Sequence, residues 1–85
     1  MRLDRYLFFI RLVKSRTLAQ GLIEEGKVRI DGRRVAKTSG EVRVGSVIAL
    51  PLRDQVRVFR VLALPGRRGP ASEARTCYEE LGEGD

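Results

Sequence analysis

The sequence predicts a small α+β domain: two N-terminal helices packed on a small, mainly antiparallel sheet, followed by a short C-terminal helix. Three observations support this. Apolar residues recur at helical spacing twice within the first 23 positions. Gly26 and the pair Asp31-Gly32 then supply a helix stop and a hairpin turn. From Val28 to Leu64 the chain alternates apolar and polar residues and is rich in valine.

Leu3, Leu7 and Ile10 stand at i, i+4 and i+7, with Tyr6, Phe9 and Val13 widening the stripe. Asp4 lies in the first turn, where its charge suits the helix dipole. The pattern resets at Lys14-Ser15. Ser15 is an N-cap candidate for a second helix, and Thr17 with Gln20 offers a competing capping box. Leu18 with Leu22, and Ala19 with Ile23, predict that helix's buried face. Gly26 sits where a left-handed cap ends it.

Beyond it, Val28 and Ile30 alternate with Lys27, Arg29 and Asp31. Asp31-Gly32 favours a type I′ turn, in which both central residues take positive φ. The chain returns from Arg33 to Val35. Thr38-Ser39-Gly40 reads as a loop, Val42 and Val44 as a short strand, and Val47 to Leu50 as another, stopped by Pro51. Gln55 to Leu64 is the longest strand expected, with a phase slip that places a bulge or bend at Phe59-Arg60. The Gly/Pro-rich stretch from Pro65 to Pro70 breaks regular structure. Ser72 is then a cap for a helix running to about Leu81, and residues 82–85 are expected to fray. The domain boundary is set at 1–64, with 65–85 as a basic loop, short helix and acidic tail.

The 85 residues leave room for one domain with a modest core. Net charge is +6, unevenly spread. Residues 1–72 hold 16 basic and 6 acidic side chains, whereas residues 73–85 hold Arg75 against five acids. Ten of the 17 basic residues fall within residues 2–37, against Asp4, Glu24, Glu25 and Asp31. That imbalance favours a polyanionic partner over an ordinary wet face.

Catalysis is poorly served. There is no histidine, the lone Cys77 cannot build a zinc site, and Glu24-Glu25 and Glu79-Glu80 are sequence neighbours that diverge on a helix. No phosphate-loop motif is present, and no cofactor or metal is expected. With one cysteine, no apolar run of roughly 20 residues and no signal peptide, a cytoplasmic protein is expected.

Nucleic-acid binding fits better. Lys14, Ser15 and Arg16 meet at the inter-helix turn, where helix N–H groups and two cations can hold a phosphate. Arg2, Arg5 and Arg11 belong to the first helix or its approach. Lys27, Arg33, Arg34 and Lys37 belong to the hairpin and its flanks. Arg67 and Arg68 form an auxiliary basic loop, which reads equally well as a flexible linker. Of the aromatics Tyr6, Phe8 and Phe9, at least two are expected in the core, with Phe8 the most exposed.

The arrangement Arg2-Leu3-Asp4, Arg11, Ser15-Arg16, Ala19, Leu22-Ile23, Gly26-Lys27-Val28, Gly32 and Val35 resembles the S4-like RNA-binding domain over about residues 2–50. The segment Arg67-Arg68-Gly69-Pro70-Ala71-Ser72-Glu73-Ala74 with Tyr78-Glu79-Glu80 resembles the ribosome-associated heat-shock protein 15 family. That resemblance implies an S4-like fold whose helices and hairpin dock on structured RNA. It also implies RNA bound in preference to DNA, association with free large ribosomal subunits, and rescue of subunits that still carry a nascent chain on tRNA. It carries an RNA-contact role onto Arg2, Arg11, Ser15, Arg16, Lys27 and Arg33, with Lys14, Arg34 and Lys37 beside them.

Two departures stand out. Asp31 replaces a common Asn, and the chain stops at Asp85 without the family's long basic C-terminal extension. We expect a monomer; a start at Met1 and an acidic tail argue against a fragment of a larger enzyme, while the missing extension is either natural or a truncation. Two other readings exist: the RNA-targeting module of an rRNA-modifying enzyme such as a pseudouridine synthase, and a protein-interaction domain using the valine-rich sheet.

Overall fold

A computed structural model describes residues 1–82. In chain order the elements are α1 (Leu3–Phe9), α2 (Arg16–Glu24), β1 (Arg29–Ile30), β2 (Arg33–Arg34), β3 (Val47–Leu52), β4 (Gln55–Val61), α3 (Ala71–Ala74), a 3₁₀ turn (Arg75–Cys77) and β5 (Tyr78–Gly82). The strands form one antiparallel sheet in the order β2-β1-β3-β4-β5. Leu3, Tyr6, Leu7, Ala19 and Ile23 from the helices are buried in one core with Ile48, Leu50, Phe59 and Val61 from the sheet. Among the described residues no helix is long and apolar enough to cross a membrane.

Both N-terminal helices end in the same hydrogen-bond pattern. At the end of α1, Arg11 N–H donates to the Phe8 carbonyl at 3.1 Å and Leu12 N–H to Leu7 at 3.2 Å. At the end of α2, Gly26 N–H donates to Ile23 at 2.9 Å and Lys27 N–H to Leu22 at 3.0 Å. These are Schellman caps, which place the first residue beyond the cap in the left-handed region. Gly26 (φ 74°) suits it; at the other end Arg11 adopts φ 64°. Ser15 caps α2 as expected, its Oγ accepting from Leu18 N–H at 3.1 Å. Asp31 and Gly32 take φ 51° and 82°, the type I′ combination.

Several expectations are corrected. Val42–Val44 is not a strand. Glu41 forms a single bridge with Arg2, Val42 N–H donates to the Met1 carbonyl, and Arg43 to Ser46 turn back through a Ser46 N–H to Arg43 carbonyl bond. Pro51 does not stop β3, which runs on to Leu52 and pairs Pro51 with Val56. β1 pairs only with Ile48 and Ala49, so at Pro51 the strand has a neighbour on one side only. A residue without an N–H is tolerated there.

β4 ends at Val61, not Leu64, and keeps one phase along its length. Phe59 and Val61 face the core, and Val56 lies on the open face of the sheet. The irregularity sits between Val58 and Phe59, in the ladder with β5. In α2 only Ala19 and Ile23 are buried, and Leu18 is 54% exposed.

The largest correction concerns the C-terminal segment. Pro70, not Ser72, precedes the helix; α3 spans only Ala71–Ala74, and Tyr78–Gly82 forms the fifth strand. β5 satisfies the open edge of β4 and packs Tyr78 edge-on against Phe59, with ring centroids 5.4 Å apart. Glu79 and Glu80 pair with Arg60 and Arg57 across that ladder. Tyr6 donates its hydroxyl to the Cys77 carbonyl at 2.9 Å, so residues after 64 join the same core. Of residues 82–85, which were expected to fray, Gly82 instead ends β5 opposite Val58, and residues 83–85 lie outside the described residues.

Candidate nucleic-acid interface

The basic face is organised around a buried acid. Asp4, in the first turn of α1, has no exposed surface. Its Oδ1 accepts from Arg2 Nε at 3.0 Å and Arg5 N–H at 2.8 Å. Its Oδ2 accepts from Arg2 Nη2 at 3.1 Å, Arg16 Nη2 at 3.2 Å and Gln20 Nε2 at 3.0 Å. Desolvation pushes this carboxyl up, but the bonds from Arg2, Gln20, Arg16 and the Arg5 backbone outweigh it and hold it well below the usual carboxylate range. The same corner receives the 38–40 loop, whose Gly40 and Thr38 carbonyls accept from Leu3 and Asp4 N–H.

Arg2 and Arg16 therefore carry a structural load. The Arg16 side chain does not simply face solvent: Nη2 binds Asp4, and Nε is buried without a partner among the described residues. Both side chains still keep about two-fifths of their surface, 44% for Arg2 and 40% for Arg16. Two cations on one carboxylate leave a net positive corner. Lys14 and Ser15 lie directly beside it in the chain, at the open start of α2, and Arg5 and Lys37 are exposed on its flanks.

The other sequence candidates fall into two further groups. Arg33 and Arg34 form β2, at the sheet edge, and both are exposed. The Arg34 side chain crosses the end of α2, where a Cβ added at Gly26 would meet its Cδ at 3.1 Å. Lys27 is ion-paired with Glu25 at 3.0 Å. Arg11 stands past the end of α1, its Nε donating to the Gly69 carbonyl at 2.6 Å. Arg68 returns the contact, with Nε on the Phe8 carbonyl at 3.0 Å and its guanidinium 4.5 Å above the Phe8 ring. Arg68 is thus tied down, while Arg67 pairs with Glu73 at 3.1 Å.

The S4 domain family matches residues 1–48, the span holding both long helices, the hairpin and the Asp4 cluster. The chain belongs to the S4-domain family. Within it, this S4-domain protein is similar to heat shock protein 15 of Escherichia coli K12, at 40% identity over 83 residues, 98% of this chain and 62% of that one. The chain thus spans less than two thirds of the length of that relative. The RQC P-site tRNA stabilizing factor of Bacillus subtilis is 40% identical over 50 residues, 59% of this chain and 57% of it. The Vibrio cholerae heat shock protein 15 structure, described as trimeric, superposes with a TM-score of 0.89 at 33% identity, covering 95% of this chain and 81% of that one. The resemblance to the heat-shock protein 15 family therefore extends through residues 65–82, beyond the S4 domain itself.

Sequence reasoning missed two features of this S4-domain surface. Asp4 and Gln20 organise it, and a lone acid among Arg2, Arg5 and Arg11 was the available signal. Arg53, in the β3–β4 turn at φ 59°, is a further exposed cation that no motif singles out.

Proposed function

We propose that this S4-domain chain is a non-enzymatic RNA-binding protein that docks on structured ribosomal RNA, on free large subunits still carrying a nascent chain, in cytoplasmic ribosome recycling under heat stress. One observation carries the reading: the helix-and-hairpin surface holds a cluster of cations that no acid neutralises. Arg57, Arg60 and Arg67 each pair with a glutamate. Arg5, Lys14, Arg33, Arg34 and Lys37 are exposed with no ion-pair partner among the described residues. Uncompensated cations on a rigid helix-and-hairpin surface are what phosphate contacts require.

The relatives support the same reading, since one is a P-site tRNA stabilizing factor. The proposed contacts are Arg2, Arg5, Arg11, Lys14, Ser15, Arg16, Lys27, Arg33, Arg34 and Lys37. Recognition is electrostatic and shape-based, with little base reading and weaker DNA binding.

Sedimentation with purified free large subunits, small subunits and intact ribosomes tests it. Co-migration with free large subunits that disappears after ribonuclease treatment is the expected result. Co-migration with none of them, or association that survives ribonuclease, overturns it.

A further inference from the structure

A trough runs between the α1–α2 turn and the β3–β4 turn. Two cavities of about 510 Å³ and one of about 180 Å³ share Arg11 and Leu12 on their walls, and so are segments of one depression. One end opens beside Lys14 and is floored by Leu18, Leu22, Pro51 and Leu52; the other passes Arg57 and reaches Arg75 and Tyr78. Asp54 is the one acid on its walls among the described residues.

Its arginines are pre-set. Arg11 and Arg68 are each fixed through Nε to a backbone carbonyl, leaving their terminal nitrogens without a protein partner among the described residues. Arg68 lies against Phe8, which holds its guanidinium as a platform. Arg11 and Arg53 are two of the three non-glycine residues at positive φ, and both line the trough. Local backbone accounts for both, the Schellman cap of α1 at Arg11 and the tight β3–β4 turn at Arg53, and it sets where the two side chains start.

We propose that this trough is a second RNA site that takes an unpaired, single-stranded stretch leaving the docked RNA. Its phosphates meet Lys14, Arg11 and Arg53, and a base lies over the leucine floor against the Arg68 plane. The inference rests on the RNA-docking reading and extends it. Charge complementarity selects a polyanion, because several cations face one acid. A guanidinium plane backed by an aromatic ring suits a nucleobase. The trough also opens at Lys14, so a strand held at the start of α2 enters it directly.

The test compares a blunt RNA duplex with the same duplex carrying a short single-stranded oligouridine extension, by fluorescence anisotropy. The full chain is measured beside Arg53→Gly and Leu18→Ser. Glycine suits the left-handed backbone at position 53, and Leu18 is exposed, so both variants keep the fold. The extension is expected to tighten binding by roughly tenfold. That gain should vanish in both variants while blunt-duplex affinity stays unchanged. Equal affinity for the two RNAs, or a gain that survives both substitutions, overturns the trough site and leaves RNA docking intact. Arg53-dependent capture of an acidic leucine-containing peptide with no oligouridine gain overturns it in favour of a protein ligand. Binding of neither RNA by the unaltered chain removes RNA docking and this site together.

Discussion

Arg16, the first residue of α2, places its Nη2 3.2 Å from Oδ2 of Asp4, a carboxylate without exposed surface in the first turn of α1. The two helices are thereby tied at their starts by a charge-assisted bond spanning 12 residues of sequence. Arg2 and Gln20 complete the shell. A residue that looks like a free phosphate ligand is therefore also part of the scaffold that shapes the site.

Charge reversal at this position is expected to damage folding before it reports on RNA. Arg16→Glu sets a second carboxylate against a buried one, and Asp4→Ala strands two arginines. Removing one partner of a buried pair costs about 3–5 kcal/mol, and partial exposure of the arginines lowers this to about 2–4 kcal/mol. For a domain of this size that is a fall in Tm of roughly 10–25 °C. Thermal melts followed by circular dichroism check it. A melt unchanged in Asp4→Ala would show that the cluster contributes nothing to stability.

The same carboxylate sets the acid limit. Its folded pKa lies well below the unfolded value, which is about 3.9 for aspartate. The folded state therefore holds the proton less readily than the unfolded state. The stabilisation is complete above the unfolded pKa and drains away as pH falls from there towards the folded value. Urea unfolding is expected to give constant stability from this term above about pH 5, with a steep decline below about pH 4. In Asp4→Asn that decline should be shallower and the neutral-pH stability lower. Parallel acid limbs in the two proteins would assign the decline to other carboxylates, such as Glu41, which the N-terminal ammonium also holds below its ordinary range.

Features governed by a few neighbouring residues are legible in the sequence, and those that join distant segments are not. Ser15 as a cap, Gly26 as a stop and Asp31-Gly32 as a turn follow from side-chain reach and backbone sterics. The burial of Asp4 is different in kind. It depends on Gln20, 16 residues away, and on Arg16, and helical periodicity is silent about both. The run from Tyr78 to Leu81 has glutamates that suit a helix, but the open edge of β4 decides in favour of a strand. Lys14, Arg33 and Lys37 were identifiable as surface cations because each stands at a turn or in the hairpin, outside the apolar stripes. Arg53 escaped because its position at the trough depends on how the β3–β4 turn meets α1.

For RNA docking, ionic strength and charge reversal give a quantitative check. If about five phosphates are contacted, log affinity falls against log salt with a slope of roughly −3.5 to −4.5. Lys14→Glu and Arg33→Glu, neither of which removes an ion pair among the described residues, should each weaken binding and make the slope shallower by about 1. Far-ultraviolet circular dichroism should be unaltered in both. A flat salt dependence would sink the electrostatic mechanism, and an unchanged slope in Lys14→Glu would move the surface away from the inter-helix turn.

The C-terminal segment tests how far the fold extends beyond the matched S4 region. Tyr6 is wholly buried, and its hydroxyl donates to the Cys77 carbonyl; burial, with Cys77 and Tyr78 nearby, pushes its phenol above the ordinary range and keeps it protonated. That carbonyl also accepts from Leu62 and Ala63 N–H, so Tyr6→Phe leaves it satisfied and should cost only about 1 kcal/mol. A chain ending at residue 64 loses far more. It removes Cys77 from the core and Tyr78 from Phe59, and bares the edge of β4, which β5 otherwise pairs from Val58 to Val61. With so small a core, that loss is comparable to the whole stability of a domain. The truncated chain is therefore expected to unfold without a cooperative transition, while Tyr6→Phe melts cooperatively a few degrees lower. A sharp, near-native melt from residues 1–64 would instead show that α1, α2 and the four strands β1 to β4 fold alone and that β5 is an addition to a finished domain.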